Sequence, residues 1–140
     1  MRVVIDTSVI VAGLRSQKGA SWSVLEHADR ALFVMAASPA LFLEYEQVLK
    51  RSDHRLAPEM VDGFLSELAS KIEPVQVRFI WRPQLTDPDD EMVLEAAING
   101  QVDGIVTHNR RDFMAAAGRF GMRVWSPGEF LQRLRREKVK

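Results

Sequence analysis

The chain has 140 residues and contains no cysteine, which excludes disulfide bridges, thiolate zinc sites and cysteine nucleophiles. It also lacks an excess of one charge, because 19 Lys and Arg residues balance 19 Asp and Glu residues. This balance argues against the strongly basic surface of sequence-independent nucleic-acid binders, so any such binding must be local. The N-terminal apolar run ends at Asp6, too early for a signal peptide or a membrane span. We therefore expect a cytoplasmic protein without a membrane segment.

The composition that is present is that of an ordinary globular domain, with 46% hydrophobic and 27% charged residues. No linker, internal repeat or low-complexity segment divides the chain. A length of 140 residues suits one domain. We therefore expect a single domain over residues 1–140.

Apolar runs typical of buried strands alternate along the chain with segments of helical periodicity. The expected strands are 3–5, 31–37, 105–106 and 124–125, with a short edge strand through Val75, Val77 and Phe79. The expected helices are 22–30, one that begins at Ser38-Pro39, 58–72, 89–99 after a loop at 81–88, and one that begins near Ser126-Pro127. Such alternation predicts a three-layer α/β/α fold with a mostly parallel central sheet and right-handed crossovers.

Polar residues follow three of the expected strands at the point where each strand ends. Asp6, Ser38 and Thr107 hold these positions. In open parallel sheets, the functional crevice lies beyond the carboxyl ends of the strands. We therefore expect the segments beginning at these residues to meet at one edge of the sheet.

Further acids fall where they can reach the same edge. Glu44 lies in the second turn of its helix near the apolar face, a costly place for an unpaired carboxylate. Asp87, Asp89 and Asp90 open a later helix. Carboxylates that converge repel one another unless a hard divalent cation such as Mg²⁺ or Mn²⁺ neutralises them. Such an ion lowers the pKa of a bound water and makes phosphodiester hydrolysis the natural chemistry.

Each of these residues also has a purely structural interpretation. Asp6 and Ser38 are suited to cap the helices that follow them, and Asp87 is suited to be the N-cap of a helix whose first residue is Pro88. Glu44 is able to pair with a buried arginine instead of a metal ion. The sequence alone leaves these alternatives open.

Basic side chains near the expected edge have two interpretations as well. Phosphate contact by a basic side chain and ordinary solvation are equally compatible with the pattern. His108 is suited to touch a substrate, or to be a surface histidine without a role. The basic residues concerned are Arg15, Lys18, Arg110 and Arg111.

Taken together, the motifs resemble the PIN-domain family, in particular its bacterial and archaeal branch of VapC-type endoribonucleases. The resemblance covers nearly the whole chain. It is carried by four segments in order: Val3-Val4-Ile5-Asp6-Thr7-Ser8, Ser38-Pro39 with Leu43-Glu44, Asp87-Pro88-Asp89-Asp90, and Ile105-Val106-Thr107-His108-Asn109.

The resemblance implies a metal-dependent ribonuclease that cleaves single-stranded RNA, with Mg²⁺ or Mn²⁺ held by Asp6, Glu44 and Asp90. It leaves Asp87 as a possible further ligand. The expected supporting residues are Ser8, Ser38, Thr107 and Asn109. Toxin relatives work beside a cognate antitoxin and are frequently homodimers, so the resemblance implies both kinds of partner.

Two positions depart from the family pattern. Asn109 stands where many members have a fourth acid, with Asp112 three residues further on, and Ser8 stands where asparagine is frequent. Asparagine can still ligate through its carbonyl oxygen, so the change puts in doubt a two-metal site but not hydrolysis.

Two competing functions remain at this point. A phosphatase of the haloacid-dehalogenase type also has a nucleophilic aspartate at a strand end. That motif needs a second aspartate two residues later as general acid, where this chain has Ser8. The other alternative is a catalytically inactive PIN-like module that binds RNA or a protein, because a fold alone does not guarantee activity.

Overall fold

The computed structural model of the chain describes residues 1–80 and 82–139, the last two by their backbone only. Within these residues one sheet has five strands, all parallel, in the order β3-β2-β1-β4-β5. The strands are β1 (Arg2–Ile5), β2 (Val34–Ala37), β3 (Glu73–Pro74), β4 (Gly104–Val106) and β5 (Arg123–Trp125).

Helices cover both faces of this sheet, which confirms the three-layer α/β/α fold predicted from the sequence. The helices described are α1 (Thr7–Arg15), α2 (Ala20–Asp29), α3 (Pro39–Leu49), α4 (Pro58–Ala69), α5 (Pro88–Gly100), α6 (Arg110–Arg119) and α7 (Pro127–Val139), with a 3₁₀ turn at Ser52–His54. None of them combines the length and the apolar composition needed to cross a bilayer.

Two helices, α1 and α6, were not predicted from the sequence, for different physical reasons. Helix α1 contains the β-branched run Val9-Ile10-Val11, which favours strands locally. It is a helix because Val9, Ile10, Gly13 and Leu14 bury one face at helical spacing. Helix α6 buries only Phe113, Ala116 and Ala117, so its apolar face is too small to produce a recognisable helical periodicity in the sequence.

The predicted edge strand through Val75, Val77 and Phe79 is wrong. The edge strand is β3, which ends at Pro74, and Phe79 is 60% exposed. The chain there is held by the side chain of Asn99, which bonds both the N–H and the carbonyl of Phe79. Hydrogen bonds from a side chain therefore hold this segment, in place of the backbone hydrogen bonds of a strand. Trp81, in the predicted loop, lies outside the described residues.

The order of the strands fixes where a site can form. Strand β1 pairs with β2 on one side and with β4 on the other, so the chain reverses its direction of winding at β1. The crevice at such a switch point, outside the carboxyl ends of the strands, is where open α/β sheets bind ligands. Asp6 follows β1 and Thr107 follows β4, which places both residues at this crevice.

Candidate active site

Asp6 lies at the crevice and is only 4% exposed. Its Oδ2 atom accepts two hydrogen bonds, from the Ser8 hydroxyl at 2.6 Å and from the Thr107 hydroxyl at 2.7 Å. The Asp6 side chain does not cap α1, so the capping interpretation does not explain it. Within the described residues Oδ1 accepts no hydrogen bond, and Asp6 lines an open cavity. One oxygen is therefore fixed and the other is available to a ligand.

Thr107 and Ser8 hold this carboxylate in place. Thr107 is fully buried, and its hydroxyl also accepts a hydrogen bond from the backbone N–H of Asn109 at 2.9 Å. The Ser8 hydroxyl accepts one from the backbone N–H of His108 at 3.3 Å. The loop after β4 and the start of α1 are therefore joined through Asp6. The His108 ring does not line the cavity. It is held instead by the hydroxyl of Ser21, which lies 2.7 Å from its Nε2 atom.

Glu44 reaches the same cavity from α3. It is half-buried and forms no ion pair within the described residues, so the arginine-pair alternative does not explain it. Its neighbour Tyr45 is fully buried and donates its hydroxyl proton to the carbonyl oxygen of Ile5, the residue before Asp6. Burial, together with the negative charge of Asp6, raises the pKa of Tyr45 and keeps it a donor. Tyr45 therefore fixes α3 against the end of β1.

Asp90 completes the group of acids. Partial burial is the main cause that raises its pKa to about 7, and the charges of Asp6, Asp87, Asp112 and Asp89 add to it. An aspartate that binds a proton near neutral pH marks a place where negative charge lacks a counter-ion.

The three acids at the start of α5 differ in position. Asp87 is exposed and is the N-cap of α5, accepting a hydrogen bond from the backbone N–H of Asp89 at 2.9 Å. It does not line the cavity, whereas Asp89 and Asp90 do. The capping interpretation therefore accounts for Asp87, and Asp89 occupies the place at the cavity that the sequence analysis gave to Asp87.

The remaining predicted residues separate in the same way. Asn109 lines the cavity. Thr107 does not line it but donates a hydrogen bond to Asp6, which does. Ser38 does not line it, because its hydroxyl accepts a hydrogen bond from the backbone N–H of Leu41 and caps α3. Arg110 forms an ion pair with Glu129. The structure thus brings Asp6, Ser8, Glu44, Asp90 and Asn109 together around one cavity of about 720 Å³.

The donor atoms of this cavity suit a hard divalent cation in type and in charge, since carboxylate oxygens are the ligands of Mg²⁺ and Mn²⁺. In the part of the chain that the structure describes, no three His, Asp or Glu side chains are arranged to hold an ion directly. Mg²⁺ usually takes one or two carboxylates and keeps several waters. The free Oδ1 of Asp6 and the uncompensated Asp90 therefore fit such an ion without a closed cage.

Two buried acids of α5 have a structural role that the sequence analysis did not identify. Glu91 is 3% exposed and accepts hydrogen bonds from the backbone N–H groups of Gln84 and Leu85. Glu95 binds the Arg82 guanidinium through two hydrogen bonds of 2.6 and 2.7 Å. Together they bind the loop that precedes α5 to the helix, which fixes the backbone leading into the first turn with Asp90.

Two basic residues that line the cavity beside Arg15, Arg51 and His54, were not predicted from the sequence to be part of the site. They lie at the 3₁₀ turn after α3, outside any helical or strand pattern. The only available signal was their distance from Glu44 along the chain, seven and ten residues, which keeps them near the same helix.

Comparison with known proteins identifies the family and the fold of the chain. A family model described as PIN domain matches residues 2–111, whereas no curated protein matches the chain. VapBC2 from Rickettsia felis, solved with a DNA fragment from the promoter, has a TM-score of 0.62 at 14% identity over 90% of this chain and 100% of that one. VapBC-1 from nontypeable Haemophilus influenzae has a TM-score of 0.61 at 14% identity over 91% and 99%. The solved structures show the same fold, and because the family model covers well over half of the sequence, the chain belongs to the PIN-domain family.

Proposed function

We propose that the chain is a metal-dependent endoribonuclease that hydrolyses phosphodiester bonds of single-stranded RNA. The observation that carries this proposal is the unneutralised charge at the cavity, where Asp6 presents one unbonded oxygen, and where partial burial together with the neighbouring acids raises the pKa of Asp90 to about 7. A nuclease of this kind brings a cation and a phosphate into one site, and both kinds of complementary charge line this cavity.

Asp6, Glu44 and Asp90 are the residues that would hold Mg²⁺ or Mn²⁺, in part through water molecules of the ion rather than all three directly. When bound, the ion supplies an activated water at neutral pH and neutralises charge on the phosphate. The chain's own residues position the reaction. Ser8 and Thr107 orient Asp6, and Tyr45 sets the distance between α3 and the end of β1. Asn109 offers an amide at the same rim for contact with the substrate.

We further propose that this nuclease is the toxin of a toxin–antitoxin pair. Support comes from the fold it shares with chains of two VapBC structures. A catalytically inactive binding module is the second candidate, favoured by Asn109 at a position where many family members have an acid and by the open arrangement of the carboxylates.

The two candidates are separated by incubating purified protein with end-labelled single-stranded RNA, with Mn²⁺ or with EDTA. We expect cleavage by the wild-type chain only in the presence of the ion, and none by Asp6→Asn, which keeps the size of the side chain but removes its charge. Binding of RNA without cleavage at any Mn²⁺ concentration would support the inactive module. Equal cleavage by both proteins would trace the activity to a contaminant.

Thr107→Val tests the positioning of Asp6. The valine fills the same space but removes both hydrogen bonds of the hydroxyl, so we expect kcat to fall roughly 10- to 100-fold with little change in KM. Thr107→Ser is the matched control because it keeps the hydroxyl, and it should retain most of the activity. Unchanged kcat in Thr107→Val would mean that Ser8 alone orients the carboxylate.

A further inference from the structure

The cavity extends away from the acids along two neighbouring helices. On α1 its lining residues recur at helical spacing from Ser8 through Ala12 to Arg15. On the α3 side they run from Glu44 through Val48 to Arg51. The acids therefore lie at one end and the cations at the other. Seven helical residues span about 10 Å, so the two ends are about two turns apart.

The cations at the far end lack partners of their own. Within the described residues, the guanidinium groups of Arg15 and Arg51 form no ion pair, and both residues are exposed. The Nδ1 atom of His54, the third basic residue, is shielded from solvent and has no hydrogen-bond partner. A shielded polar atom without a partner costs free energy unless a ligand satisfies it. Two guanidinium groups that have no ion pair in the described part of the chain and an imidazole that carries its proton on Nδ1 are hydrogen-bond donors that suit an anion.

The floor between the two ends is apolar, formed by Val11, Ala12 and Val48. Such a floor does not compete for phosphate, and it can contact the apolar faces of bases. An RNA strand carries negatively charged phosphates at regular intervals along its backbone. One phosphate could bind at the acidic end of the groove through a metal ion, while a neighbouring phosphate binds the free cations at the other end.

We propose that Arg15, Arg51 and His54 form a subsite for a phosphate that neighbours the scissile one, so that the RNA strand runs along the groove between α1 and α3. This inference rests on the proposed ribonuclease function. The subsite fixes the direction and position of the strand, because the scissile phosphate must lie at the acids while its neighbour lies at the arginines. The subsite would give the chain a local affinity for RNA that does not depend on base sequence, although the chain as a whole has no net charge.

The test measures binding of a labelled single-stranded RNA to the Asp6→Asn chain, which removes cleavage from the measurement. In the Asp6→Asn background we expect Arg51→Ala to weaken binding roughly 5- to 10-fold and to reduce the slope of log K against log salt by about 0.7. Arg51→Lys should recover part of both. Arg135→Ala is the matched control, because it removes the same charge from the exposed part of α7.

Single replacements of phosphates by uncharged methylphosphonates then locate the contact. At one position beside the scissile phosphate, the replacement should weaken binding to the Asp6→Asn chain that keeps Arg51. It should have no further effect on binding to the Asp6→Asn chain that also carries Arg51→Ala. Equal losses in both chains at every position would overturn the subsite, as would an Arg135→Ala effect as large as that of Arg51→Ala. If an acidic peptide rather than RNA competes through Arg51, the subsite belongs to a protein partner and the proposal is wrong.

Failure of the subsite can be told from failure of the proposed function. A wild-type chain that cleaves RNA with Mn²⁺ while Arg51→Ala binds RNA normally refutes only the subsite. A wild-type chain that neither binds nor cleaves single-stranded RNA refutes the ribonuclease itself.

Discussion

At pH 8 and without divalent cations, the Asp90→Asn chain should melt roughly 3–8 °C above the wild-type chain. The reason is the raised pKa of Asp90, about 7, which reflects charge that burial and neighbouring acids make unfavourable in the folded state. Asp90 keeps substantial contact with solvent, so we expect the amide to relieve only about 1–2 kcal/mol of this cost.

The dependence on pH follows from the direction of the shift. A carboxyl whose pKa is raised by folding favours the folded state most below its unfolded value of 3.8, and this contribution is lost as the pH rises through about 7. The advantage of Asp90→Asn should therefore be full at pH 8, smaller at pH 6 and nearly absent at pH 4. Thermal melting followed by circular dichroism at these three values measures it.

Addition of Mn²⁺ should reverse the order of the two chains. An ion that binds only the folded state at 100 times its Kd stabilises by about 2.7 kcal/mol, and Asp90→Asn loses one of the carboxylates that would hold it. Asp29→Asn is the matched control, since Asp29 is exposed on α2 and does not line this cavity. Identical Mn²⁺ responses of wild type and Asp90→Asn would remove Asp90 from the site.

The part of the site that sequence could predict lies at element ends. Asp6 and Thr107 follow buried apolar runs, and parallel strands bring their carboxyl ends to one edge, so local pattern and topology together place both residues. The hydrogen bond between them confirms this neighbourhood. Pro88 marks the first turn of α5 and so places the neighbouring acids near this edge, but the choice of Asp90 among them came from the family resemblance.

The rest depends on pairings that leave no local trace. Whether Asp87 or Asp89 joins Asp90 at the cavity is decided by the N-cap hydrogen bond and by the rotation of α5, which packing of the whole helix sets. The bond from Tyr45 to Ile5 crosses 40 residues of sequence. Arg51 and His54 follow a helix end, where no periodicity applies.

The second large effect is expected in strand β4, which is followed directly by Thr107 and so positions this residue beside Asp6. A Cβ atom on Gly104 would lie 2.5 Å from the carbonyl oxygen of Arg123 and 2.5 Å from the Trp125 ring. The obstacle includes backbone of the neighbouring strand β5 and cannot rotate away. We therefore expect Gly104→Ala to lower the free energy of unfolding by about 3 kcal/mol or more.

Urea denaturation measures this loss, with Gly63→Ala as the control for the same change of residue. Gly63 lies in the interior of α4, where a Cβ atom would meet nothing within 4 Å. Alanine is the better helix former, so that variant should gain about 0.5–1 kcal/mol. Opposite shifts of the two midpoints would show that close approach of β5, not glycine as such, sets the stability of this edge. A Gly104→Ala chain as stable as wild type would mean that β5 can move aside, and Thr107 would then not depend on it for its position.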